Sequence, residues 1–133
     1  MGIDPAKIRL GAIVEAWVPD PRGQNDKRRP LIVIGYEGDT NIVLCAISSA
    51  VRDPLPDDAI ELPHADRPGG HAATGLNRRC VAVCSWVMVL HGNRIVTKRG
   101  DCPPGLLKRI TRTVERLADE GIADEGIADD SND

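Results

Sequence analysis

The sequence predicts a mainly β fold of the α+β kind: a small, mostly antiparallel β-barrel finished by one C-terminal helix. Three observations predict it. Short β-branched, apolar runs alternate with turn-forming residues from Gly11 to Lys98. Apolar residues at helical spacing occur only after Pro103. The length, 133 residues, suits one domain with room for a real core.

The elements follow in order. Gly11 to Val18 (GAIVEAWV) alternates in part and reads as the first strand. Pro19 to Arg29 (PDPRGQNDKRR) combines turn formers with four bases and reads as a loop. Leu31 to Tyr36 is the second strand, and the short turn Glu37 to Asn41 makes Ile42 to Ser48 its hairpin partner. Ala59 to Leu62 reads as a short edge strand, and Asp66 to Asn77 (DRPGGHAATGLN) as a glycine-rich loop. Cys80 to Leu90 (CVAVCSWVMVL) is the longest apolar run. Its β-branched content predicts a strand buried on both faces. His91 to Asn93 turns it into a further strand, Arg94 to Lys98. Pro103 and Pro104 suit the first turn of a helix, where a missing N–H costs little. Leu106, Leu107, Ile110, Val114 and Leu117 form its apolar stripe. Lys108, Arg109, Arg112 and Arg116 line much of the other side, as an ordinary solvated face would, and Gly121 is the stop.

Charge divides the chain. From Ala118 onward there are seven acids and no base. The preceding 117 residues hold 17 bases and 13 acids, so the body carries +4 and the tail −7. A mildly basic body fits a polyanionic partner. The tail repeats Ala-Asp-Glu-Gly-Ile at 118–122 and 123–127, with glycine every fifth residue. That composition predicts a disordered, solubilising segment; the alternative is an acidic strip folding over a basic groove of the body. The expected organisation is therefore a domain over residues 1–117 and an acidic tail over 118–133.

Composition also excludes classes. The aromatic residues are Trp17, Tyr36 and Trp86, too few for a platform that stacks bases. No apolar run is long enough to span a bilayer, and Met1 to Pro5 lacks a signal-peptide layout, so a cytoplasmic protein is expected. Cys45, Cys80, Cys84 and Cys102 form no Cys-x-x-Cys pair, and the histidines show no ligand spacing. Buried free thiols are expected, with no metal and no cofactor.

The segment Lys27-Arg28-Arg29-Pro30-Leu31-Ile32-Val33-Ile34-Gly35 carries the strongest functional signal. Proline fixes its own φ and biases Arg29 towards an extended conformation. A rigid strand then holds Arg29 at its mouth, which suits a guanidinium that grips phosphate or carboxylate. A solvated loop end is the plain alternative.

Several such pieces coincide with one family. The Gly-x-Ile-Val strand at Gly11 to Val14 precedes a polar loop and the Arg-Arg-Pro-aliphatic segment at Arg28 to Ile34. Ala46-Ile-Ser-Ser49 ends a strand, and Thr74-Gly-Leu76 stands ahead of a long valine-rich one. Gly100 precedes the helix that holds Leu107, Ile110, Val114 and Leu117. In this order the chain, over roughly residues 9 to 117, resembles the MazF/PemK (Kid/CcdB-like) toxins of toxin–antitoxin systems. The resemblance implies an SH3-like barrel and a homodimer. It also implies a metal-independent endoribonuclease that cuts single-stranded messenger RNA and is neutralised by a cognate antitoxin. It places Arg29 and Ser48 as catalytic residues, with Ser49 beside them as an RNA contact; the loop bases Arg22, Lys27 and Arg28 would hold flanking phosphates by charge. Attack of the RNA's own 2′-OH needs a proton acceptor, a proton donor and charge stabilisation of the phosphorane. Arg29 would supply the last, with Ser48 donating to a non-bridging oxygen. Some members place an acid near the positions held here by Cys84 and Ser85, where this chain has none. Asp20, Asp26, His64 and His71 are the candidates for the missing group. The alternative function is a barrel that lost the chemistry and binds protein or nucleic acid.

Overall fold

The structure, a computed structural model, describes residues 8–65 and 72–120. Its strands are β1 (Ala12–Val18), β2 (Lys27–Glu37), β3 (Asn41–Ser48), β4 (Ala59–Leu62), β5 (Cys80–His91) and β6 (Ile95–Asp101). A 3-10 turn at Gly92–Arg94 links β5 to β6, and the helix α1 spans Pro104–Asp119. Every pairing is antiparallel, in the order β4-β5-β3-β2-β1-β6.

The sheet is not closed as a strict barrel. Among the described residues β4 and β6 are edges that do not pair with each other. The segment after residue 71 spans the gap instead. Ala73 O accepts from Asp101 N at the end of β6, and Leu76 O accepts from Ala65 N just past β4. The Thr74 hydroxyl, fully buried, donates to Pro63 O at 2.8 Å. Backbone groups that a closed barrel would satisfy by strand pairing are satisfied here by a loop.

Strand alternation gives the sheet two apolar faces. One carries Ile13, Ile32, Cys45, Ile47, Ala82 and Cys84, covered by Ile110 and Leu117 of α1. The other carries Val14, Val18, Leu31, Val33, Leu44 and Ile95. All four cysteines are buried free thiols in the first cluster. Burial raises the Cys102 thiol to about 11. Cys45 is pushed up by its hydrogen bond with Cys84 and by burial.

Three points differ from the sequence-based expectation, besides β6 running on to Asp101 where an end at Lys98 was expected. β2 begins at Lys27 rather than after Pro30, because Lys27, Arg28 and Arg29 pair with Val18, Trp17 and Ala16 of β1. β5 is buried on both faces only over its first half: Val87 and Val89 are exposed, since α1 does not reach them. α1 runs to Asp119, taking in the first two positions of the expected tail, with Glu120 as its C-cap. The rest of the tail, and His71, lie outside the described residues.

Candidate functional site

Two local events in the sheet build the site. The first is Pro30. It sits in a central strand, yet proline has no N–H to donate. The β2–β3 ladder accordingly stops at Leu31–Ala46, while β2 stays paired to β1 as far as Lys27. Continued two residues along each strand, that register sets Arg29 opposite Ser48, but with the ladder open between them. The second event is a register shift in β5. Cys45 is opposite Val87 and Ala46 opposite Val83, so Cys84, Ser85 and Trp86 bulge from the ladder. Trp86 thereby reaches the opened mouth.

The result is a groove of about 550 Å³. Lys27, Arg28, Arg29, Arg78 and Arg99 supply its charge, and Ser48, Ser49 and Asn77 its neutral polar groups. Arg29 is held firmly. Its Nε donates to Val18 O at 3.1 Å and its Nη2 to Asn25 O at 3.0 Å. Its guanidinium carbon lies 5.3 Å from the centre of the Trp86 ring. These contacts fix the plane while leaving other N–H groups free for a ligand. Ser48 Oγ accepts from Ala50 N at 3.0 Å, a turn that closes β3 and leaves the hydroxyl proton for donation.

Glu15 lies beneath the groove. Its Oε1 pairs with Arg28 Nε at 2.8 Å and its Oε2 with Arg99 Nη1 at 3.2 Å. The Glu15 side chain is 16% exposed. Arg28 faces Trp17 in the ladder, so the Glu15–Arg28 pair is a diagonal one on a single face of the sheet. Arg99 Nη2 also donates to Gly75 O at 2.8 Å. Gly75 has φ +72°, and a Cβ there would lie 2.2 Å from Arg99 O. A Cβ at Gly100 would lie 2.2 Å from Ala73 O. The two glycines let the 72–77 segment and β6 touch through bare backbone, which brings Asn77, Arg78 and Arg99 to the groove.

Of the residues expected from sequence, Arg29, Ser48, Lys27, Arg28 and Ser49 line one groove. Arg22 does not; it is an exposed residue of the β1–β2 loop. None of the candidates for the missing group lines it either. Asp20 organises its own loop, accepting from Arg22 N, Gln24 N and Asn25 Nδ2, each at 2.9 Å. Those bonds, Gln24 N first, hold its carboxyl below the usual range. Asp26 and His64 stand outside the groove, and His71 outside the described residues. Sequence reasoning missed Arg78, Arg99, Trp86 and Glu15. Arg78 and Arg99 flank the Thr74-Gly-Leu motif and Gly100, the one signal that could have found them.

The geometry is that of a small antiparallel β protein with an open, cation-rich mouth in its sheet, a surface that suits anionic ligands. The chain matches the PemK-like, MazF-like toxin family of type II toxin-antitoxin systems over residues 9–118 and belongs to it. Solved structures with the same fold include the Mycobacterium tuberculosis toxin MazF-mt6, 15% identical with a TM-score of 0.57, over 80% of this chain and 96% of that one. A mycobacterial endoribonuclease in complex with its cognate antitoxin is 8% identical, with a TM-score of 0.61, over 84% and 95%. MazF of a MazE–MazF complex from Deinococcus radiodurans is 18% identical, with a TM-score of 0.57, over 84% and 94%. Comparison with curated proteins gave no match. Among the described residues no helix is long and apolar enough to cross a membrane.

Proposed function

We propose that the protein is a metal-independent endoribonuclease toxin that cuts single-stranded messenger RNA, with Arg29 and Ser48 at the reacting phosphate. The observation that carries this reading is the fixed Arg29 guanidinium, tied to Val18 O and Asn25 O at the edge of a groove it shares with Ser48. A preorganised cation is worth most where charge develops, on the non-bridging oxygens of a phosphorane. Ser48 donates to one of those oxygens. Lys27, Arg28, Arg78 and Arg99 hold flanking phosphates. Ser49, at the same rim, contacts the RNA, and Arg22 meets it further out. In the same reading the working unit is the domain of residues 1–117, acting in the cytoplasm as a homodimer and neutralised by an antitoxin. Exposed Leu10, Trp17, Tyr36, Val87 and Val89 offer apolar surface for such contacts.

A second reading rests on one observation: no carboxylate or imidazole lines the groove among the described residues. A groove of cations and hydroxyls alone binds RNA without cutting it. One experiment separates the two. Wild type and Arg29→Ala are expressed inducibly, with growth and messenger RNA integrity followed together, and the purified proteins are assayed on RNA in the presence of EDTA. Cleavage by wild type, reduced about 100- to 1,000-fold in Arg29→Ala, supports the enzyme. Intact RNA that is nevertheless bound by a soluble, folded wild type supports the binding module and refutes the first reading.

A further inference from the structure

Among the described residues no carboxylate lines the groove, but one lines the hollow beside it. This second hollow, also about 550 Å³, shares Ser48 and Ala50 with the groove and is lined as well by Arg52 and Asp58. The β5 bulge places that carboxylate. Cys84 N donates to Asp58 O at 2.7 Å, and Ser85 Oγ donates to Asp58 Oδ2 at 2.5 Å.

Among the described residues Asp26 and Asp57 line neither hollow, and several of the other acids are committed. Glu15 is shared by Arg28 and Arg99. Asp20 holds its own loop, as described above. Asp53 and Glu61 both clasp Arg79, at 2.9 Å and 2.8 Å. Asp101 pairs with Lys98 at 3.2 Å. Each of these carboxylates is engaged by cations or backbone donors. Asp58 has no cation within salt-bridge distance among the described residues. Among the described residues its side chain accepts from one neutral hydroxyl, which orients Oδ2 and leaves Oδ1 for a ligand.

We propose that Asp58 is the general base of this site, held in place by Ser85 as a positioning residue. The proposal rests on the ribonuclease reading. With a scissile phosphate between Arg29 and Ser48, the ribose on its 3′-oxygen side passes over the shared rim at Ser48 and Ala50 into the hollow that Asp58 lines, within hydrogen-bond reach of its carboxylate. The 2′-OH gives its proton to the Asp58 carboxylate as the 2′-oxygen bonds to phosphorus. The P–O5′ bond breaks, and the leaving oxygen takes a proton from water. The products are a 2′,3′-cyclic phosphate and a 5′-hydroxyl, and Asp58 returns its proton to solvent.

The test is steady-state cleavage of a synthetic single-stranded RNA across pH by wild type, Asp58→Asn, Asp58→Glu, Ser85→Ala and Arg29→Ala. Binding is measured separately with the same oligonucleotide made of 2′-deoxy residues. Asp58→Asn still accepts the Ser85 hydroxyl, so its fold is retained. It lowers kcat about 100- to 10,000-fold and removes the acidic limb of the pH profile, while binding of the deoxy analogue stays within about twofold. Asp58→Glu restores part of kcat. Ser85→Ala lowers kcat about tenfold and moves the acidic limb without changing KM. Asp58→Asn with wild-type kcat and an unchanged pH profile, beside an inactive Arg29→Ala, overturns the role of Asp58 and leaves the ribonuclease reading standing. A wild type that leaves RNA intact overturns both.

Discussion

Replacing Gly75 by alanine tests whether the glycine contacts between the 72–77 segment and β6 carry the site. Two costs add at this position. The first is conformational: at φ +72° a Cβ costs about 1–2 kcal/mol. The second is steric. The new Cβ would lie 2.2 Å from Arg99 O and 2.7 Å from Arg99 C, both backbone atoms that cannot swing aside. Restoring ordinary contact needs a displacement of about 1 Å. That displacement strains the hydrogen bonds from Arg99 Nη2 to Gly75 O and from Asp101 N to Ala73 O, each worth about 1 kcal/mol. It also disturbs the buried Thr74 hydroxyl on Pro63 O. The total is about 3–5 kcal/mol, or a fall in Tm of roughly 10–20 °C for a chain of this size. Gly38 supplies the control. It has φ +69° and nothing within 4 Å of where a Cβ would stand, so Gly38→Ala bears the conformational cost alone. Thermal unfolding by circular dichroism compares the two. A Gly75→Ala variant no less stable than Gly38→Ala would refute the close-approach argument.

Two further predictions concern the strands and the surface ions. Pro30→Val supplies the missing N–H and lets the β2–β3 ladder extend past Leu31, so the mouth between Arg29 and Ser48 narrows. RNA affinity falls about tenfold or more by titration with no loss of Tm, and unchanged affinity would show that proline does not hold the groove open. Arg79 lowers the carboxyls of Asp53 and Glu61 from their ordinary 3.8 and 4.5 by hydrogen bonding to both. Depressed carboxyls contribute stability that is complete above the unfolded values and lost as pH falls through the folded ones. The Tm gap between wild type and Arg79→Gln is therefore fullest above pH 4.5 and closes below it, whereas a gap independent of pH would remove the ion cluster as its source.

The order of elements was legible because each strand had its own local signal: β-branched runs, turn residues between them, and a proline pair ahead of an amphipathic helix. Ala59–Leu62 was recovered to the residue, and Arg29 and Ser48 do share a groove. What the sequence hid is non-local. The half-exposed face of β5 depends on how far α1 extends over the sheet. Lys27 and Arg28 read as loop because their charge and neighbours favour a turn, but pairing with β1 overrides that preference. Arg78 and Arg99 reach the groove only through the contact of Gly75 with β6. Asp58 reaches Ser85 across a separation of 27 positions, which no spacing rule reports.

The carboxylate of Glu15 acts as a counterion that cannot diffuse away. In free solution each cation of a basic groove condenses small anions, and an incoming polyanion gains entropy by expelling them. Arg28 and Arg99 share that one tethered charge, so a phosphate that takes the place of Glu15 on them liberates one ion fewer into the bath. Five basic side chains line the groove, yet its binding should respond to salt as a groove of about four would, with a slope near −2.8 for a single strand rather than about −3.5. Such a protein keeps more of its grip on RNA as ionic strength rises. It also discriminates by geometry, since only a ligand that can satisfy both guanidinium groups at once repays the exchange.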